Sequence, residues 1–312
     1  MPVSRFAVLL LAALLLSACA APATLSPAIQ QLATEPAGSL LAVRNGDLWL
    51  IQGGKLRQFT TGGSWRQPRW SPDGTRFAYV FRAENFSEIF VMNRDGSNPQ
   101  RLTDSQSPIL QDDDWAFSPA WSPDGQRLAF TSDSNSYNPM LWVMQADGSG
   151  KRQLVSANSG LDAVESPAWS PDGKTIAFTG FRNGLSQIYR YELDSKAVSP
   201  VTATSQGALD PAWSPDGQWI AYVAREEDRT SVHVIRADGS GDGRVSRAES
   251  VRSPVWSPDG HQLAFLASPS GSFELYLVTV DTSAAPAKGT DERQVTTDLN
   301  ADAASGLSWT SQ

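Results

Sequence analysis

Few side chains in this 312-residue chain are of the kinds that do chemistry, so each can be weighed in turn. There are two histidines and one cysteine. Five aspartates recur at constant spacing: Asp73, Asp124, Asp172, Asp216 and Asp259. A row of carboxylates could hold metal ions. Each of these, however, stands inside Ser-Pro-Asp-Gly, where Ser opens a type I β-turn, Pro pre-sets φ and Gly suits the fourth position. Turn formation explains all five, and no metal is expected at them. Asp112-Asp113-Asp114 could bind Ca²⁺, although that ion prefers alternating or loop-spaced oxygens to a contiguous triplet. A solvated loop is the simpler reading of the triplet, with Ca²⁺ left open. No Gly-x-Ser-x-Gly elbow, P-loop or Gly-x-Gly-x-x-Gly after a strand is present. His261 follows a turn glycine, where other copies carry Thr75, Gln126, Lys174 and Gln218, and is expected to be exposed. His233 occupies a column of aromatic residues and reads as a substituted core aromatic. A histidine zinc site and a Ser-His-Asp triad are both disfavoured. No cofactor is expected.

The elements that must position any site follow from one repeat. Trp-Ser-Pro-Asp-Gly begins at Trp70, Trp121, Trp169, Trp213 and Trp256, and a degraded copy stands at Trp309-Thr310-Ser311. Periods of roughly 40–50 residues suit a four-stranded propeller blade. A short apolar stretch precedes each turn, as in Pro167-Ala168-Trp169. A strand-like run follows: Phe77–Val80, Leu128–Phe130, Ile176–Phe178, Ile220–Tyr222 and Leu263–Phe265. Next comes a β-branched and aromatic run, such as Ile89–Met92, Leu141–Met144, Ile188-Tyr189, Val232–Ile235 or Leu275–Val278. Asp-Gly turns at 95–96, 147–148 and 238–239 close three of these hairpins. A last short strand is expected at Arg101–Thr103, Gln153–Val155, Val201-Thr202 and Gln294–Thr296. No segment has a helical period.

Residues 40–60 carry strands two to four without strand one, and 307–310 carry strand one alone. Pairing the two gives a sixth blade and closes the ring, which hides the sheet edges. The fold expected is all-β: a six-bladed β-propeller of four-stranded antiparallel blades. The repeat (Pro-x-Trp-Ser-Pro-Asp-Gly, then Ile-Ala-Phe, Ile-Tyr-Val-Met and Arg-Gln-Leu-Thr) resembles the WD40-like PD40 repeat of the TolB-type β-propellers. The resemblance covers roughly residues 38–312 and places repeats at 68–118, 119–166, 167–210, 211–253 and 254–306. The composite blade is 38–67 plus 307–312. TolB itself resembles a two-domain soluble periplasmic protein with a mixed domain before the propeller. No such domain is expected before residue 38, so a direct TolB role is not expected to carry over whole.

In propellers the loops entering the innermost strand ring the central opening. The third residue before each tryptophan reads Gln67, Ser118, Ser166, Asp210, Ser253 and Gly306. The fourth reads Arg66, Phe117, Glu165, Leu209, Arg252 and Ser305. Repeat proteins vary the loops that meet partners. Trp65 and Trp115 fall outside the structural columns in the same loops, as binding anchors or as blade caps. The expected binding residues at the channel mouth are therefore Trp65, Arg66, Gln67, Trp115, Phe117, Ser118, Glu165, Ser166, Asp210, Arg252 and Ser253. Trp219, in an otherwise polar column, reads as a lateral contact or an accident of sequence.

Arg5 followed by an apolar run from Phe6 to Leu16 reads as a signal peptide, too short for a membrane span. Leu16-Ser17-Ala18-Cys19 is similar to a bacterial lipobox. Residues 1–18 are thus expected to be removed, Cys19 to be lipidated, and 19–37 to form a flexible tether spanning ~23 Å. The net charge of −8 and the lack of a basic cluster exclude nucleic acid as the expected partner, and leave membrane attachment to the lipid. The function expected is an extracytoplasmic, anchored, monomeric binding propeller that engages an envelope protein, peptide or ligand and does no catalysis. The alternative is a propeller enzyme of hydrolase, lyase or cyclotransferase type, with Asp210, Glu165 and Asp162 as the first acidic candidates in the funnel.

Overall fold

The structure, a computed structural model, describes residues 36–105 and 114–312. Cys19, the leader, most of the tether, Asp112 and Asp113 lie outside the described residues. Six four-stranded antiparallel sheets follow one another around a ring. The chain enters with β1 (Ser39–Arg44), β2 (Asp47–Gln52) and β3 (Lys55–Gln58). Blade one is β4 (Trp65–Trp70), β5 (Arg76–Arg82), β6 (Ser87–Asn93) and β7 (Gln100–Arg101). Blade two is β8 (Ala116–Trp121), β9 (Arg127–Ser132), β10 (Met140–Gln145) and β11 (Arg152–Gln153). Blade three is β12 (Ala163–Trp169), β13 (Thr175–Arg182), β14 (Leu185–Glu192) and β15 (Val198–Pro200). Blade four is β16 (Ala208–Trp213), β17 (Trp219–Glu226), β18 (Arg229–Arg236) and β19 (Gly243–Arg244). Blade five is β20 (Val251–Trp256), β21 (Gln262–Ala267), β22 (Glu274–Asp281) and β23 (Lys288–Gln294). The last strand, β24 (Ser308–Thr310), pairs with β1 through Ser39–Thr310, Leu40–Trp309 and Leu41–Ser308, which makes the composite blade and closes the ring.

The core is divided among the blade interfaces. Six apolar clusters lie between successive blades, one for each junction of a six-membered ring. Fully buried alanines at the centre of the second strands (Ala78, Ala129, Ala177, Ala221, Ala264) let neighbouring sheets approach. Inner-strand indoles tie blades together: the Nε1 of Trp121, Trp213 and Trp256 donates to the carbonyls of Arg69, Ala168 and Ala212 in the preceding blade.

Each Ser-Pro-Asp-Gly forms its turn by the same bonds. In blade two the Ser122 hydroxyl donates to Asp124 Oδ1 (2.5 Å), Gly125 N donates to the Ser122 carbonyl (2.9 Å), and Gln126 N donates to Asp124 Oδ1 (3.0 Å). Asp73, Asp172, Asp216 and Asp259 bind their own turns in the same way. Their carboxylates are thus engaged locally, as the turn reading requires.

The outer strands end earlier than expected. The ladder stops at Arg101 and Gln153, and in blade three it runs over 198–200 rather than at Val201-Thr202. In every blade but the second, a side chain takes over where the ladder stops. The hydroxyls of Thr60, Thr103, Thr202, Ser246 and Thr296 accept from backbone N–H groups of the third strand (Leu48, Ile89, Ile188, Val232, Leu275) at 2.8–2.9 Å. A hydroxyl does there what a fourth-strand carbonyl would otherwise do. Trp219 is corrected as well: it is 3 % exposed, packed between blades four and five beneath the Arg236 guanidinium, and presents no lateral surface. His233 keeps its aromatic column, 5.6 Å from the Tyr222 ring, and lies between the carboxylates of Asp242 and Glu226. His261 is exposed.

Candidate functional site

The inner strands share a bulge that aims one residue at the ring axis. Register shifts interrupt β4, β8, β12, β16 and β20 between the fourth residue before the tryptophan and the residue next to it. At each bulge a non-glycine residue takes a left-handed backbone: Gln67 (φ 51°), Ser118 (53°), Ser166 (49°), Asp210 (54°) and Ser253 (54°). A bulge of this kind bends the strand and re-aims its side chain. A proline follows each of them and sets the strand back on course. All five line a central cavity of about 400 Å³ walled by the six inner strands.

These side chains bind one another around the channel. Ser118 N donates to Gln67 Oε1 (2.7 Å), and Gln67 Nε2 donates to Ser118 Oγ (3.1 Å). Across blades three to five, the Ser166 hydroxyl donates to Asp210 Oδ1 (3.3 Å) and Ser253 N to Asp210 Oδ2 (3.2 Å). Ser253 Oγ donates to the Ala303 carbonyl (3.0 Å). Arg252 stands 3.9 Å from Asp210 Oδ2. Glu165 is solvent-exposed at the rim, yet desolvation by the crowded mouth loops and repulsion from Asp210 raise its carboxyl above the ordinary range, against the pull of Arg252 and Arg225. Blades three to five therefore gather an acidic pair and a cation at one side of the mouth.

The other side is built differently. Arg66 pairs with Asp302 (3.2 Å) and donates to the Gly63 and Trp65 carbonyls. Beside it opens a cleft of about 390 Å³ that contains Trp115, Phe117 and Arg82, with the Arg82 guanidinium 5.5 Å from the Trp115 ring. Trp65 behaves as a blade cap: its ring lies 5.5 Å from Tyr79 and 5.1 Å from Phe81, and its Nε1 donates to the Thr61 carbonyl. Leu209 and Ser305, in the same column as Arg66, are buried, so that column reaches the mouth only in part. Asp162 accepts from Asn183 N (2.6 Å) and closes a hairpin end.

One residue escaped the reading of the two columns. The position immediately before each tryptophan holds Ala120, Ala168, Ala212, Val255 and Ser308, but Arg69 in blade one. It lines the central cavity. The signal was available in the sequence as an arginine in a column of small residues.

A closed ring of six four-stranded sheets around a polar central cavity defines the class: a six-bladed β-propeller. The TolB beta propeller domain family, PD40, matches residues 109–295, and the chain belongs to that family. A Tol-Pal system protein TolB of Actinobacillus succinogenes is 41 % identical over 87 residues, which is 28 % of this chain and 18 % of that protein. The match thus spans about a fifth of that relative's length. The crystal structure of TolB from Acinetobacter baumannii superposes with a TM-score of 0.67 at 19 % identity, covering 88 % of this chain and 66 % of that one. A chain of a nidogen/laminin complex superposes at 0.66 with 12 % identity, over 88 % of this chain and 99 % of its own. Both superpositions show the shared fold.

Proposed function

We propose that the chain is an extracytoplasmic binding propeller, held at a bacterial membrane through Cys19, that grips an envelope protein or peptide at its channel mouth without catalysis. The observation that carries this is the asymmetry of the mouth. The turns are alike in every blade, because every blade has the same need. The mouth instead sets an Arg66–Asp302 pair and an aromatic cleft on one side, and Glu165, Asp210 and Arg252 on the other. An asymmetric partner needs such a surface, and a half-exposed tryptophan beside charges is a common anchor. The matched relatives named Tol-Pal system protein TolB support an envelope setting. The expected protein is a monomer that uses no cofactor.

The enzymatic alternative keeps one observation, the raised Glu165 carboxyl beside Asp210, a pairing that can separate an acid from a base. Affinity capture from the native envelope tests the preferred reading. Replacing Trp115 with Ala should weaken capture of the partner by ~2 kcal/mol, a hot-spot loss, with the fold intact. Unchanged capture by Trp115→Ala combined with Arg66→Glu would place the site elsewhere. Loss of a measured turnover on Glu165→Gln would favour the enzyme.

A further inference from the structure

Arg69 and Gly306 depart together from the repeat. Where five blades place Ala, Val or Ser next to the tryptophan, blade one places an arginine; where five blades carry a side chain at the bulge, the composite blade carries glycine. The two departures fit each other. A Cβ on Gly306 would stand 2.8 Å from both terminal nitrogens of Arg69, so the missing side chain is the space that the guanidinium occupies. Nη1 donates to the carbonyls of Pro68 (2.8 Å) and Leu307 (3.2 Å), which fixes the head against the channel wall. Among the described residues no carboxylate lies within ion-pair distance of it.

The channel wall leaves this cation poorly solvated, and burial lowers it to about 10, with Asp210 drawing it back up. Asp210 belongs to blade four, opposite blade one in a ring of six, and its own oxygens are taken by Ser166, Ser253 and Arg252. An arginine held in a crowded cavity without a counter-charge costs stability, and that cost falls when an anion arrives. A guanidinium presents paired N–H groups that match a carboxylate. The cavity of about 400 Å³ has room for one, and serine hydroxyls and the Gln67 amide line the approach.

We propose that Arg69 is an anion subsite inside the channel, and that it takes a carboxylate from a peptide segment entering through the mouth. This rests on the channel-mouth reading for the class of ligand. The carboxylate could be a Glu or Asp side chain or a chain terminus, and three N-acetylated probes separate these: Ala-Ala-Glu-Ala-Ala amide, penta-alanine with a free carboxyl end, and Ala-Ala-Gln-Ala-Ala amide. Each is titrated into the full chain while the Arg69 Nε–Hε resonance is followed by NMR, with inorganic phosphate as a further arm.

A saturable shift of that resonance with either acidic probe, and none with the neutral one, is expected; the responding probe identifies the source. Arg69→Ala should weaken binding of that probe by about tenfold or more and leave the melting temperature equal or higher. No shift, the same shift with the neutral peptide, a response to phosphate alone, or full affinity in Arg69→Ala would each overturn the proposal. If Arg69→Ala fails to fold, the guanidinium is a blade staple; the wild-type titration then decides by itself. Because the probes are defined peptides, the result is independent of whether mouth substitutions release the natural partner.

Discussion

Replacing Asp124 with Ala removes one carboxylate from one of five equivalent turns, and the structure sets its size. Oδ1 accepts from the Ser122 hydroxyl and from Gln126 N, while Oδ2 lies 3.9 Å from Arg127 Nη2. The arginine contact is half-exposed and contributes little. The Ser122 hydroxyl is fully buried; it retains the Arg127 carbonyl as acceptor (3.1 Å) and still receives Arg127 N (2.9 Å), so it is not orphaned. Gln126 N turns to water. Two hydrogen bonds to a charged acceptor at the surface amount to ~1.5–3 kcal/mol. For a domain of this size that is a fall in melting temperature of ~5 °C. The Ser122 hydroxyl and the Gln126 N–H hold this carboxyl below the usual aspartate range. A depressed folded value gives stability that is present above the unfolded value, near 3.9, and is lost as pH falls through the folded one. Urea unfolding of wild type and variant from pH 7 to pH 2 should therefore show a gap that is full at pH 7 and narrows below about pH 4. A gap under ~0.5 kcal/mol, or one that persists unchanged into acid, would refute the account of the turn.

Trp309→Ala tests ring closure: the indole is 9 % exposed between the composite blade and blade five, and its loss should cost ~3–5 kcal/mol and speed proteolysis within residues 40–60. A variant as resistant to chymotrypsin as wild type would contradict that. Glu88→Gln should be neutral or slightly stabilising at pH 7 in a chemical melt. Burial raises the Glu88 carboxyl, and in blade three an amide, Gln187, already receives the equivalent threonine hydroxyl and backbone N–H. Glu88→Leu would leave the Thr103 hydroxyl proton and Ser105 N without their acceptor, while Thr103 Oγ1 still receives Ile89 N, and should cost ~2 kcal/mol or more. Cys19→Ala should move the protein from the detergent phase to the aqueous phase while its melting temperature stays the same; equal partitioning would remove the anchor from the proposal.

Much of this architecture could be read from residue types because the repeat is written in turn chemistry. Ser-Pro-Asp-Gly specifies its own bonds within six residues, so its copies counted the blades, and the half-repeats at 40–60 and 307–310 required the ends to meet. The fourth strands were harder. Thr202 and Thr103 carry β-propensity and were assigned to strands, but their hydroxyls replace a ladder bond, and that substitution is invisible without the partner N–H. Trp219 looked displaced because its column is polar elsewhere, yet Arg236 lies over its ring and hides it. At the mouth, comparing columns groups Gln67, Ser118, Ser166, Asp210 and Ser253, and because the bulge repeats all five line the central cavity; that a partner binds there is part of the proposal. It did not separate Trp65 from Trp115, since capping depends on Tyr79 and Phe81 in another strand. Arg69 was missed by reading two columns and not the third.

The composite blade also has a consequence in time. Trp309 Nε1 bonds to the Ala37 carbonyl across 272 residues of sequence. On a chain made from its N-terminus, β1 is the earliest blade strand to emerge and β24 the latest, so β1 waits with one side unpaired while five blades form. Bringing the two ends of so long a loop together costs about 5 kcal/mol in chain entropy, less whatever the intervening blades have already ordered. The sealing step is therefore the most non-local event in the fold and should be the slow one. Until it occurs, Leu40 and Leu41 present an apolar open edge, the surface on which a chaperone, or another copy of the chain, would act first.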